Sequence, residues 1–229
     1  MTRPVFLLEF HDLLVDTRAA RFAALREALQ HEGIAIDDDV YDARFAGLSI
    51  ADAVRAAAQG TALELDETGL DLATMRATAA QMAAASRGIT LMPGAAEFVR
   101  NAASRAVVGL VAATSRTEAM HVVELAGLAD QFSHIGCEDD GGAHTTLAER
   151  WQGVRRRLVA RVSASEGNAA VMIALCGTGA GIDAAKGPGV RVFATGAVAA
   201  SIAFRSDGWI PTLERLTVSE LLALEAHSE

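Results

Sequence analysis

Several residue types are scarce in this chain, and each shortage excludes a class of protein. Only 5% of the 229 residues are aromatic, while alanine is abundant. This balance favours helices packed through small side chains over a β-sandwich. Cysteine occurs twice, at Cys137 and Cys176. Two thiols without a secretory signal predict a reducing, cytoplasmic location and no disulfide framework.

Positive charge is scarce as well. The formal net charge is -9 at pH 7, and Lys186 is the single lysine. Proteins that bind nucleic acid neutralise its phosphates with clustered lysine and arginine, so an acidic chain without a long basic stretch is not expected to bind it. We interpret the short run of arginines at 155–157 as the solvated face of a helix.

Long apolar runs are absent. The first run, at residues 4–10, is too short for a signal sequence and far too short for a membrane span. We therefore expect a protein that does not cross a membrane. The chain is nevertheless 51% apolar and 21% charged, which is a globular composition with enough apolar residues for a core. Its length allows one large domain, or a core domain with a small insertion.

Short apolar runs alternate with helical patterns through most of the chain. Such runs are typical of buried strands when helical patterns follow them. Strands that alternate with helices predict a parallel α/β sheet. The predicted strands lie at residues 4–10, 106–114, 131–136, 168–177 and 190–195, with a last short strand within 206–216.

The segment after the first strand breaks this alternation. Residues 37–88 are helical in character, and no convincing strand pattern occurs there. We interpret this block as part of an insertion that covers the carboxyl ends of the strands. The predicted domains are an α/β core, formed by residues 1–16 and 89–229, and a helical cap, formed by residues 17–88.

Five segments are similar to the motifs of one family. The first motif, F-D-x-D-G-x-L-V-D-T/S, is similar to LEFHDLLVDT (8–17). The second, a strand that ends in Ser or Thr, is similar to LVAATSR (110–116). The fourth, E-D-S-x-x-G-I-x-A-A-x-A-A-G-M, is similar to GTGAGIDAAKGPGVRVFATG (177–196). LMPGAAEFVRNAAS (91–104) resembles the segment after the cap, and WIPTLERL (209–216) the last strand. Together they resemble the haloacid dehalogenase superfamily, in its β-phosphoglucomutase and phosphoglycolate-phosphatase-like branch. The resemblance implies a Rossmann-like parallel sheet flanked by helices, with an inserted all-helical cap.

The resemblance places Glu9 at the nucleophile position and His11 at the acid/base position, where the family has aspartates. The Glu9 carboxylate lies one methylene further out, and a displacement of about 1 Å can cost ~100-fold in the rate of in-line attack. His11 can still transfer protons near neutral pH. Asp12 replaces a turn glycine, and aspartate tolerates unusual φ angles better than most residues.

Thr114 and Ser115 retain the hydroxyls of the second motif, which the resemblance assigns to phosphate binding. The same residues are also good caps for the helix predicted to follow them. Both roles are compatible, because the N-terminus of a helix is itself an anion site.

The cation of the third motif is missing. The family has a lysine that balances the charge of the phosphate and the nucleophile, and this chain has Ala143 or His144 in its place. Arg150 is near in sequence, but it falls inside a predicted helix.

The acidic pair of the fourth motif is replaced by Cys176 and Gly177. The family uses that pair to bind Mg²⁺, a hard ion held by oxygen ligands, and neither replacement offers a side-chain oxygen. We therefore expect no metal and no other cofactor. Cys176 is better interpreted as a buried thiol at a strand end than as a nucleophile.

Two functional hypotheses follow. The chain is either a non-catalytic member of the superfamily, retained for binding or regulation, or an active hydrolase of phosphatase or phosphomutase type with an altered site that uses Glu9 and His11. A small anionic or phosphorylated molecule is the ligand that the resemblance implies, and a protein partner is not indicated. The stretch CGTGAG at 176–181 also resembles the glycine-rich loop of a methyltransferase or dinucleotide-binding fold, but few strands remain after it.

Overall fold

A six-stranded sheet organises the computed structural model, which describes residues 3–60, 65–86, 88–141, 145–166, 171–196 and 200–226. All pairings are parallel, and the strand order is β3-β2-β1-β4-β5-β6. The strands are β1 (Val5–Glu9), β2 (Val107–Val111), β3 (His134–Gly136), β4 (Met172–Cys176), β5 (Val190–Thr195) and β6 (Gly208–Ile210). Each strand lies within a predicted run, and the predicted parallel α/β fold is confirmed.

Helices follow the strands and fill the segment after β1. They are α1 (Arg18–His31), α2 (Asp38–Arg44), α3 (Ile50–Gln59), α4 (Glu67–Ala85), α5 (Ala95–Arg105), α6 (Arg116–Leu125), α7 (Leu147–Glu166), α8 (Gly179–Ala185), α9 (Ala200–Ala203) and α10 (Val218–Ala226). Within the described parts of the chain, none of these helices has the length and apolar character that a membrane crossing needs.

The central strand β1 is buried on both faces. Val5 and Leu7 pack into the cluster that α7 and α8 cover, whereas Phe6 and Leu8 pack into the cluster that α5 and α6 cover. Successive side chains of a strand point to opposite faces, so a strand between two helical layers must be apolar at every position. This is why the run is continuous, and why it ends at the polar residues of the site.

Helices α1–α4 form a hydrophobic cluster of their own, separate from the two that flank the sheet. Its largest members are Phe22, Leu25, Leu29, Tyr41 and Phe45. The four helices therefore have an internal core, as an inserted cap requires. The exact boundaries proposed for the cap, residues 17 and 88, stay a prediction.

Candidate functional site

The carboxyl ends of β1, β2 and β4 are adjacent in the sheet, and ligands of parallel sheets bind at this edge. The chain places polar residues directly after each of these strands. The polar residues at the ends of β1 and β4 are in direct contact with one another, whereas those that follow β2 contact Glu118 on α6, which in turn contacts the helical insertion.

Glu9, the last residue of β1, is hydrogen-bonded to the turn after β4. The backbone amides of Gly177 and Thr178 donate to Glu9 Oε2 at 2.9 and 3.1 Å, and the Thr178 hydroxyl donates to Oε1 at 2.5 Å. Glu9 is only 2% exposed. Burial raises its pKa from 4.5 to about 8, against the lowering effect of the hydrogen bonds from Thr178 and Gly177. The carboxyl is therefore largely protonated at neutral pH.

Glycines make room for this longer side chain. A Cβ at Gly181 would lie 2.2 Å from Glu9 Oε2, and a Cβ at Gly47 would lie 2.9 Å from Oε1. Real Cβ atoms do not approach other atoms so closely, so neither position tolerates a larger residue without a shift. The first turn of α8 and the loop after α2 are thus shaped around a glutamate at position 9.

The turn after β1 explains why Gly177 cannot carry the family's carboxylate. The turn needs a residue in the left-handed conformation, and Asp12, which replaces the family's glycine, has a φ of 58°. Its backbone lies against Gly177, where a Cβ would approach the Asp12 carbonyl carbon to 2.3 Å. The Asp12 side chain accepts hydrogen bonds from the Thr17 amide at 3.0 Å and the Thr17 hydroxyl at 2.9 Å.

His11 is completely buried. Its Nδ1 lies 3.2 Å from the Thr17 hydroxyl oxygen, and its Nε2 lies 3.5 Å from Arg21 Nη1. Burial lowers the pKa of His11 well below its ordinary value, and the positive charges of Arg21 and Arg150 lower it further. The imidazole is therefore neutral at neutral pH.

The two hydroxyl residues after β2 have different partners. Ser115 is the N-cap of α6, and its hydroxyl oxygen accepts from the Glu118 amide at 3.3 Å. The Thr114 hydroxyl donates to the Glu118 carboxylate. Both hydroxyls are thus engaged within α6 and its cap, although the phosphate-binding role that the resemblance implies for them stays a prediction.

A hydrogen-bonded chain continues from Glu118 to the helical insertion. Gln81 on α4 donates from Nε2 to Glu118 Oε1 at 3.1 Å, and its Oε1 accepts from Arg21 Nη1 at 3.1 Å. Arg21, which is 3% exposed, also donates to the Leu48 carbonyl. We call the chain Thr114–Glu118–Gln81–Arg21 the latch, because it joins the sheet domain to the four inserted helices.

Of the four latch residues, Thr114 is a candidate from the sequence, whereas Arg21, Gln81 and Glu118 are not predicted by it. A signal for Arg21 exists, because it lies on the same face of α1 as the buried Leu25, Ala28 and Leu29. A charged residue on such a face must have polar partners inside the protein.

A second buried guanidinium lies near the site. Arg150 on α7 is 5% exposed; its Nη2 donates to the Thr145 carbonyl at 3.4 Å, and its Nε and Nη1 have no hydrogen-bond partner among the described residues. Its charge lowers the pKa of Glu138, which burial raises. The predicted helix around Arg150 is confirmed as α7, and its position on this helix is what brings the guanidinium inward. Ala143 and His144, the positions of the third motif, lie outside the described residues.

The family model for haloacid dehalogenase-like hydrolases matches residues 7–173 of the chain. The chain belongs to this family. No curated protein matches it significantly. Among solved structures, it resembles β-phosphoglucomutase from Clostridium difficile, with a TM-score of 0.76 and 15% identity over 99% of this chain and 98% of that one.

Two further structures support the same fold. CbbY from Rhodobacter sphaeroides in complex with phosphate has a TM-score of 0.70 at 16% identity, over 96% of this chain and 99% of its own. A haloacid dehalogenase-like hydrolase from Streptococcus pneumoniae has a TM-score of 0.69 at 14% identity, over 97% of this chain and 98% of its own. At these identities the likeness supports the fold alone.

The residues of this haloacid dehalogenase-like protein do not fit Mg²⁺. The Glu9 oxygens accept from amide and hydroxyl donors, which repel a cation, and Cys176 is a buried thiol whose pKa burial raises well above its usual value. Asp183 is the first acidic residue in the sequence after Cys176 and Gly177, and it is paired with Lys186 and Arg205. Among the described residues, no group of three His, Cys, Asp or Glu side chains is arranged to hold a metal ion.

A cavity of about 500 Å³ lies between the sheet domain and the inserted helices of this family member. Its walls include Arg21, Gln81 and Glu118 of the latch, and also Thr114 and Ser115. Most of the remaining wall is apolar, and it comes from both sides: Phe10, Val15, Ala20, Ile50, Ala51, Met82, Ala84, Ala85, Ile89, Ala113 and Val122.

Proposed function

We propose that this protein is a non-catalytic member of the haloacid dehalogenase-like family that binds a small anionic ligand between its cap and its core. The engagement of the Glu9 carboxyl by Gly177 and Thr178 carries the proposal. A nucleophilic carboxylate must be ionised, with an oxygen free to approach phosphorus in line. Glu9 has a pKa of about 8, and both of its oxygens accept hydrogen bonds from the protein.

The groups that would assist the nucleophile are also unsuited to the reaction. Phosphoryl transfer depends on positioning and on neutralising charge, because there is little covalent chemistry for the protein to do. His11 has no exposed surface through which to exchange a proton with a leaving group, and the metal ligands of the fourth motif are replaced. Several parts of the standard mechanism are therefore lost together.

Binding is favoured by what remains. The cavity offers one guanidinium, that of Arg21, in a wall that is otherwise largely apolar. Two relatives of the same fold support an anionic ligand by analogy, since CbbY from Rhodobacter sphaeroides has been solved with phosphate and with xylulose-1,5-bisphosphate. We place this binding function in the cytoplasm, in keeping with the cysteine content.

Phosphate release from a panel of phosphate esters, with and without Mg²⁺, tests this proposal. We expect the wild-type protein to release no more phosphate than the Glu9→Gln variant, whose amide cannot attack phosphorus. Turnover that Glu9→Gln abolishes would contradict the proposal. It would support the second hypothesis, an active hydrolase with an altered site that uses Glu9 and His11.

A further inference from the structure

We propose that the ligand of this cavity is a small amphipathic acid, with an apolar body held between α4 and the core and an acidic oxygen bound by Arg21. This inference rests on the proposed binding function and names the chemical class of its ligand.

The size and the wall of the cavity determine the body of the ligand. A volume of about 500 Å³ lies within the range of ~300–1,000 Å³ that is typical of small-molecule sites. Phe10, Ile50, Met82, Ala85, Ile89 and Val122 contribute to the wall. Apolar side chains supply most of the surface of the cavity, although Thr17, Thr74, Thr78 and His121 also line it, so a ligand covered with hydroxyl groups would find fewer hydrogen-bond partners there than in water. An apolar body gains free energy from the same burial.

Arg21 determines the head of the ligand. Its Nη1 and Nη2 are engaged by Gln81 and Leu48, its Nε is buried, and the Tyr41 hydroxyl is a further polar neighbour. Among the described residues, no carboxylate lies within 4.0 Å of its guanidinium, and Asp12, whose pKa the Arg21 charge lowers, is hydrogen-bonded to Thr17. A buried cation is costly unless an anion compensates it. An acidic oxygen of the ligand, next to the part of Arg21 that lines the cavity, would supply this anion.

The acidic residues of the same wall do not remove this preference. The Glu118 carboxylate accepts from the Thr114 hydroxyl and the Gln81 amide, so its oxygens are already paired within the latch. The Glu138 carboxyl is hydrogen-bonded to the Ser49 side chain and interacts with the positive charge of Arg150, which offsets its repulsion of an anion. Asp16 is exposed to solvent, where water screens its charge.

Three probes separate the contributions of body and head: octanoate, 1-octanol and inorganic phosphate, titrated calorimetrically into the whole protein at pH 7. We expect octanoate to bind at least about tenfold more tightly than 1-octanol, because a hydrogen bond to a charged group is worth that much or more. Inorganic phosphate should not displace octanoate. Equal affinity for the first two probes, binding of neither, or displacement by phosphate would overturn the inference.

Two pairs of proteins locate the site. Ala85 lies on the cavity wall, whereas Ala83, two residues earlier on α4, is exposed and outside it. Ala85→Trp should fill the cavity and abolish octanoate binding, and Ala83→Trp should leave it unchanged; equal affinity in the two variants would exclude this cavity.

Arg21→Met should lose the preference for octanoate and keep 1-octanol binding, which also shows that the variant is folded. A preference that survives in Arg21→Met would refute the role of Arg21. Turnover of phosphate esters would contradict the proposed non-catalytic function. The affinities for octanoate and 1-octanol would still test the class of ligand, so the two failures are distinguishable.

Discussion

Glu9 is one methylene longer than the aspartate of the family's first motif. Its carboxyl accepts hydrogen bonds from the amides of the turn after β4. The residue type alone predicts a displaced nucleophile. The hydrogen bonds and the raised pKa could not be predicted, because the partners Gly177 and Thr178 are 168 and 169 positions away in the chain. Burial then decides the ionisation state, since desolvation is the largest influence on the pKa of Glu9.

Replacing Glu9 by glutamine should change how stability depends on pH. The pKa of Glu9 is about 8 in the folded protein and 4.5 ordinarily, so its favourable contribution is complete below pH 4.5 and is lost as the pH rises to 8. Glu9→Gln mimics the protonated carboxyl and should escape this loss. We expect it to match the wild type at pH 4.5 and to exceed it at pH 8.5 by a few kcal/mol, at about 1.4 kcal/mol per pH unit.

Urea denaturation at the two pH values measures this difference. Glu27→Gln on the exposed face of α1 is the matched control. An equal stability change in Glu9→Gln at both pH values would show that folding does not raise the pKa of Glu9.

The turn between β4 and α8 shows what can be predicted of an element and what cannot. Buried strands are continuous apolar runs and helices have caps, so the sequence sufficed to place β4 and the helix after it. The glycines of the turn also resembled a nucleotide-binding loop. In the structure, the amides of Gly177 and Thr178 donate to Glu9, and Gly181 lies against its carboxyl. Their role depends on a residue from another strand, which no local pattern reveals.

Two glycine substitutions test this packing. Gly181→Ala should destabilise the protein by about 3 kcal/mol, because its Cβ would approach the Glu9 carboxyl to 2.2 Å. Gly153→Ala, inside α7 with no atom within 4 Å of a new Cβ, should stabilise it by up to about 1 kcal/mol through helix propensity. Thermal unfolding distinguishes them. A Gly181→Ala variant as stable as the wild type would mean that Glu9 is not held against α8.

At the scale of the whole molecule, the latch joins the sheet domain to the inserted helices, which have a hydrophobic core of their own. The order of motifs was enough to predict the sheet and the inserted helices. It did not reveal the latch, because Arg21 and Gln81 are 60 positions apart and Gln81 and Glu118 are 37 apart, with no periodicity linking them. Their partners exist only once the helices have packed, and buried polar groups of this kind fix one relative placement of the two parts.

Gln81→Leu should break the latch, since it removes the group that bridges Arg21 and Glu118. We expect a loss of about 2 kcal/mol in the free energy of unfolding, because two charged groups lose hydrogen bonds. Amide hydrogen exchange in α4 and at the start of α6 should also become faster. Gln59→Leu, on the exposed end of α3, is the control. Equal stability and equal exchange in the two variants would mean that the latch does not hold the cap.

A measurement of the ionisation of Glu9 tests most directly whether its carboxyl is unavailable for catalysis. Carbon-13 NMR of the glutamate side-chain carboxyls, with the Glu9 signal assigned by its loss in Glu9→Gln, follows that ionisation through a pH titration. We expect a midpoint of about 8, unchanged by millimolar Mg²⁺. A carboxylate that is already ionised at pH 6, with a signal that moves when Mg²⁺ is added, would contradict the account, since Glu9 would then be available both as a nucleophile and as a metal ligand.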